Sequence, residues 1–249
     1  MAQAVATPSP ARPGRRAQLR AVLVALGLVL GALLVSTLVG VGVALPLILG
    51  GGFEPTSGTV LVASLFATQV SFVVVALLYL RRREWDVSLS VPTTRELKWV
   101  GGGVVATVVA AFGLLALSNA LGVEPVESVI EAPILANPTL LLVLAGLSIV
   151  LVAPAEELLF RGVVQGRLRR TFGAPVAVGV ASLLFASIHL LNLVTVGSGA
   201  VVMVGVIFVV ALVLGVAYER TGNLAVPILV HGAYNTTLFL VSFLSLGGV

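Results

Sequence analysis

Residues 139–170 read TLLLVLAGLSIVLVAPAEELLFRGVVQGRLRR. The first half carries no charge, and a helix that spans a bilayer needs about 20 mostly apolar residues. Two adjacent glutamates, Glu156 and Glu157, then interrupt the apolar run, and Arg161 follows one turn later. The basic cluster Arg167, Arg169 and Arg170 closes it. The whole chain says what kind of segment this is. Of its 249 residues, 59% are hydrophobic and only 10% charged, with a mean hydropathy of +1.17. A soluble domain carries roughly a quarter charged residues. The composition therefore excludes a soluble enzyme, a disordered chain and a nucleic-acid-binding module, and no nucleic-acid partner is expected. The chain has no cysteine, so disulfides, thiolate catalysis and cysteine metal sites are excluded as well.

Working outward, long charge-free stretches alternate with charge clusters. The expected fold class is an all-α polytopic bundle of about seven spans, near 21–47, 58–80, 99–121, 139–166, 175–191, 200–218 and 224–246. Asn192 and Gly197-Ser198-Gly199 supply the break between spans five and six. Helices are required because lipid offers no partner to a free backbone amide. Three regions follow: a basic tail over 1–20, spans one to three over 21–123, and a catalytic core over 139–246. With seven spans, the basic residues before span one (Arg12, Arg15, Arg16, Arg20) fall on one side of the membrane with Arg81 to Arg83, Arg95, Lys98, Arg167, Arg169, Arg170 and Arg220. Lysine and arginine mark the cytoplasmic side. The expectation is an integral protein of the cytoplasmic membrane with its N-terminus in the cytoplasm and the bilayer as its first partner. The opposite loops hold Glu54, Glu124, Glu127 and Glu131, which read as solvated. Residues 84–98 read as a short interfacial piece, and Gly101 to Gly103, Gly205 and Gly215 as close-packing positions between helices.

The ionisable residues inside the spans carry the functional reading. A charge at the bilayer centre costs about 2.5–3.5 kcal/mol on insertion scales, so such groups pair, line a cavity or do chemistry. Glu157 and Arg161 are spaced i and i+4 and read as a structural ion pair. Glu156 points about 100° away and is left for another task. Phe185 and His189 share the i, i+4 spacing, as do His231 and Asn235. Pro154 is expected to kink the fourth span just before the acidic pair. Glu156, His189, His231 and Asn235 suit hydrolysis by an activated water. Glu156 would take the proton, His189 would hold the water, and His231 with Asn235 would donate to the oxyanion. The same Glu156, His189 and His231 also form a familiar catalytic zinc set. The metal question stays open at this point.

These residues resemble the motifs of the CPBP family of CAAX proteases and bacteriocin-processing enzymes. Glu156-Glu157-Leu158-Leu159-Phe160-Arg161 looks like its EExxxR motif, Phe185 to His189 like its aromatic-xxx-His motif, and His231 to Asn235 like its HxxxN motif. The Thr221-Gly222-Asn223-Leu224 turn is also typical. The likeness covers roughly residues 139–245. It implies an intramembrane endopeptidase of the prenyl-protein-processing type, commonly described as a metalloprotease, acting on a membrane-anchored peptide or protein. The cavity is expected to open toward the cytoplasm. Two other readings stand beside it: a non-catalytic scaffold or bacteriocin-immunity protein of the same fold, and a proton-coupled transporter, which the missing internal repeat disfavours.

Overall fold

The computed structural model describes residues 14–124, 126–194 and 197–247. Arg12 and the rest of the basic tail over 1–13 lie outside the described residues. The elements are α1 (Arg15–Leu49), α2 (Gly58–Arg83), α3 (Thr94–Ala120), the short α4 (Glu131–Ala136), α5 (Leu140–Arg169), α6 (Ala174–Ile188), α7 (Ser198–Thr221) and α8 (Ala225–Ser245). Seven helical segments are long and apolar enough to cross a membrane, α6 being counted with the turn to Asn192. The protein is an all-α polytopic bundle. Outward faces are apolar: Leu30, Leu34 and Leu38 of α1 and Val105 and Val109 of α3 are exposed. In water such a belt would drive association, whereas lipid is its natural solvent.

Local chemistry sets the ends of these helices. Thr93 and Glu96 form a reciprocal capping box that starts α3, with Thr93 N–H donating to Glu96 Oε2 at 2.8 Å. Gly222, at φ 65°, ends α7 in the left-handed region that glycine enters freely. Asn223 follows it and is buried. Its Oδ1 accepts from Ala225 N–H and Ser90 N–H, each at 3.1 Å, and its Nδ2 donates to Ser90 O at 3.0 Å. One side chain therefore caps α8 and clasps the α2–α3 connection. That connection differs from the expected interfacial piece. It runs without helix from Trp85 to Thr93, and α3 begins at Thr94. The loop over 121–139 leaves Glu124, Glu127 and Glu131 exposed, as expected, and contains α4. It is also tied to the end of α6, with Val129 N–H donating to Asn192 O at 2.9 Å.

Helix α5 is the axis of the bundle. Its Leu159, Phe160, Val163, Val164 and Leu168 are fully buried. They pack against Ala25 and Val29 of α1, Phe72 and Ala76 of α2, and Ala177, Ala181 and Phe185 of α6. A second core joins Ala111 of α3 to Val210 and Leu214 of α7 and Val230 and Tyr234 of α8. Small residues let these helices approach. A Cβ on Gly103 would meet Val230 Cγ2 at 2.8 Å, and one on Gly215 would meet Val178 Cγ1 at 2.8 Å. Gly101, Gly102 and Gly205 have nothing within 4 Å of that position, so they do not serve the close packing expected of them.

Gly103→Ala should lower stability by about 1–3 kcal/mol, because the added methyl overpacks the α3–α8 contact. Gly102→Ala meets open space and should leave the melting temperature in detergent unchanged. Equal melting of the two variants would contradict this contact.

Candidate active site

The chemistry begins with how α5 is wound. Pro154 has no N–H to donate to the preceding turn. The helix continues through it. It widens into π-helical turns over Ser148–Val152 and again over Leu158–Gln165, with one ordinary α-turn, Ala153–Glu157, between them. Wide turns of this kind recur at functional sites because they re-aim side chains. The acidic pair sits on that α-turn, surrounded by the other helices.

Glu157 and Arg161 are both 0% exposed. Arg161 Nε donates to Glu157 Oε2 at 2.9 Å, the expected ion pair. The pair has a second function that sequence spacing did not show. The other oxygen, Glu157 Oε1, is 2.9 Å from His231 Nδ1 on α8. A carboxylate in an ion pair accepts, so His231 Nδ1 carries the proton and donates. Glu157 is thus the orienting carboxylate of His231 as well as the counter-ion of Arg161.

His231 turns its other nitrogen toward Glu156. Nε2 and Glu156 Oε2 are 3.9 Å apart, and both side chains are over nine-tenths buried. That separation is too long for a direct hydrogen bond and suits one water bonded to both. Glu156 Oε1 accepts from Gln69 Nε2 of α2 at 3.0 Å. Oε2 of Glu156 and Oε1 of Gln69 have no protein partner among the described residues. Gln69 is the residue that sequence reading missed. Its signal was a lone amide in the otherwise apolar second span, where burial without a partner is costly.

His189 lies at the end of α6, in a 3-10 turn over His189–Asn192 that closes the fifth span. Its Nδ1 donates to Phe185 O at 2.8 Å, leaving Nε2 as the lone-pair nitrogen. Phe185 holds the group together. Its ring centroid is 4.9 Å from that of His189, 5.8 Å from that of His231 and 5.3 Å from Arg161 Cζ. Asn235 is half-buried one turn beyond His231. Glu156, His189, His231, Asn235, Phe185 and Gln69 all line one cavity of about 500 Å³.

The cavity extends away from the arginine-rich end, although an opening toward that end was expected. Its walls continue through Leu65, Ile130, Leu144, Asn192 and Phe239, all in the half of the bundle that bears the acidic loops. Toward the arginine end the space below Glu157 is filled by the buried Arg161, Gln165 and Leu168. A separate groove of about 580 Å³ lies between α3 and α7, bounded by Lys98, Trp99 and Gly102. It holds no carboxylate or imidazole among its described lining residues.

With this geometry in hand, comparison with known proteins is informative. Residues 136–237 match the model of the type II CAAX prenyl endopeptidase Rce1-like family. Over that segment the chain is similar to the Rce1-like family. No curated protein and no solved structure matches closely enough to add to this. The Rce1-like segment contains Glu156, Glu157, Arg161, Phe185, His189, His231 and Asn235. Helices α1 to α3 lie outside it, and Gln69 with them.

The donor types present would suit zinc, since each imidazole keeps Nε2 free and anchors Nδ1 on an oxygen. Ligand geometry asks for more: three donors around one point. Among the described residues no three histidine, aspartate or glutamate side chains form such a group. His189 makes no contact within 4.0 Å of either glutamate, unlike His231. The arrangement therefore does not fit a three-ligand metal centre.

Arg161→Leu leaves Glu157 without its cation and should cost about 3–5 kcal/mol, read as earlier melting in detergent. Wild-type melting would show that the pair is not needed for folding. The position of the cavity is tested by thiol labelling, because the native chain is free of cysteine. Leu238→Cys, on the cavity wall, should react with an impermeant maleimide from the side that labels Glu127→Cys. Labelling instead from the side that reaches Arg83→Cys would put the opening at the arginine end.

Proposed function

We propose that this protein, Rce1-like over residues 136–237, is an intramembrane endopeptidase that cuts a membrane-anchored peptide by means of a glutamate-activated water. One observation carries the reading: Glu156 Oε2 and His231 Nε2 face each other at 3.9 Å inside a cavity large enough for an extended peptide segment. Apolar walls, with Leu33, Phe72 and Ile207 among them, suit a lipid-bearing or transmembrane substrate. A prenylated C-terminal peptide, the substrate class in the family's description, fits that chemistry.

The proposed sequence of events uses this chain's own groups. A water between Glu156 and His231 gives a proton to Glu156 Oε2 as its oxygen attacks the scissile carbonyl. His189 Nε2, on the far wall, accepts a hydrogen bond from the water's other O–H, whose hydrogen stays on the attacking oxygen. The oxyanion is met by Asn235 Nδ2, and by His231 when Nε2 also carries a proton. Glu157 offsets the charge of that imidazolium. As the C–N bond breaks, Glu156 returns its proton to the leaving amine. Gln69 fixes the carboxylate through Oε1, so that Oε2 alone is presented to the water.

Cleavage of a membrane-anchored peptide in liposomes tests this. Glu156→Gln should lower kcat by at least about 100-fold, the lower range for losing a general base. Asn235→Ala should lower it by about 100- to 1000-fold, as for an oxyanion donor. Gln69→Leu should cost about 10- to 160-fold, since a hydrogen bond to a charged group contributes roughly 1.5–3 kcal/mol. Turnover should persist after chelation, with no stoichiometric metal by elemental analysis. Wild-type cleavage by Glu156→Gln would overturn the role of Glu156. Loss on chelation that zinc alone restores would overturn the glutamate–water mechanism. A cellular phenotype that survives both Glu156→Gln and His231→Ala would favour the scaffold reading.

A further inference from the structure

The buried polar groups do not end at Arg161. Its Nε is satisfied by Glu157, but Nη1 and Nη2 have no protein partner among the described residues, although the side chain is fully buried. Gln165, four residues on, is also fully buried. Its Nε2 donates to Gly215 O at 3.2 Å and to Glu219 Oε1 at 3.0 Å, while its Oε1 has no partner. Glu219 in turn accepts from Arg169 Nε through Oε2 at 2.9 Å, and the Arg169 side chain is 41% exposed.

The two unpartnered groups face one another across a glycine. A Cβ on Gly215 would lie 3.0 Å from Gln165 Oε1 and 3.6 Å from Arg161 Nη1. Val178 Cγ1 would lie 2.8 Å from the same Cβ, so the glycine lets α7 pack closely here and brings a donor and an acceptor near each other. Buried polar groups are seldom left unsatisfied. A single water that accepts from Nη1 and donates to Oε1 satisfies both, and sites of this kind hold the ordered waters of protein interiors.

We propose that Gln165 and Glu219 are positioning residues of the active site. Through one buried water they hold the Arg161 guanidinium, and through Arg161 and Glu157 they hold the His231 imidazole. The chain runs Arg169–Glu219–Gln165–water–Arg161–Glu157–His231, from the exposed arginine end to the cavity. The physical reason is geometric. A guanidinium held by one N–H pivots about that bond, and a second anchor fixes its plane. The fixed plane fixes both oxygens of Glu157, and with them the direction of His231 Nε2. The effect on turnover rests on the peptidase reading; the effect on His231 does not.

The test reads His231 directly. The chain has two histidines, so ¹⁵N-histidine labelling gives two imidazoles, which His189→Gln assigns. At one fixed pH, Gln165→Leu and Glu219→Ala should displace the His231 Nδ1 resonance and leave that of His189 in place. Glu219→Gln keeps an acceptor for Gln165 and should restore the wild-type position. On the peptide substrate, kcat should fall about 2- to 30-fold with KM unchanged. Should Gln165→Leu fail to fold, Glu219→Ala, at the partly exposed end, decides alone. A His231 resonance unmoved in the folded variants overturns the proposal, and so does equal displacement of His189, which would mean general loosening. A displaced His231 in a protein whose wild type cleaves nothing would support the positioning chain and sink the peptidase reading instead.

Discussion

A carboxylate buried in the middle of a membrane protein is tolerable only when its charge is matched, and Glu157 is matched twice. Arg161 meets one oxygen and His231 the other, each at 2.9 Å. Taking such charges out of water is expensive, and breaking one partner away leaves an uncompensated ion. The bundle is built around that requirement. Helix α5 carries both members of the ion pair, so it must be enclosed by protein. Its neighbours α1, α2, α6, α7 and α8 enclose it. The third member comes from α8, so the pair also dictates which helix lies against α5 at that level.

The same arrangement separates two adjacent glutamates into different tasks. Glu157 faces the ion pair and orients His231. Glu156, one residue earlier, faces the cavity with one oxygen held by Gln69 and the other without a protein partner. Phe185 stands beside them, its ring centroid 4.9 and 5.8 Å from the two imidazole centroids and 5.3 Å from the guanidinium carbon. An aromatic ring gives these polar groups a rigid apolar wall and a favourable face for the cation. Helices outside the Rce1-like segment also contribute. Gln69 of α2 bonds the glutamate proposed as base, and Ser36 of α1 lines the same cavity. The first two spans therefore line the cavity as well as complete the bundle.

Much of this was legible in the residues. Charge-free runs gave span positions within a few residues of the helices, because bilayer thickness sets a narrow length for each. Glu156, Glu157, Arg161, His189 and His231 stood out because each was costly where it lay. Gln69, Gln165 and Glu219 were not legible as partners. An amide or a helix-end carboxylate has several ordinary explanations, and their partners lie 87, 50 and 54 residues away in the chain. The cavity's direction was misread because depth along each helix says where a residue sits, not which end of the bundle is packed shut.

What the sequence by itself determined is the class of molecule: a bundle of seven apolar helices with a few ionisable groups, of Rce1-like pattern, that have no reason to be in lipid unless they meet. Periodicity and transfer cost act along one helix, and they suffice for that. Only the tertiary structure decided who meets whom. Glu157 rather than Glu156 binds His231, Gln69 reaches in from the second span, and His189 ends its helix instead of continuing it. Those choices depend on helix rotation and on the wide turns around Pro154. Both are settled by packing between helices, which no single span encodes.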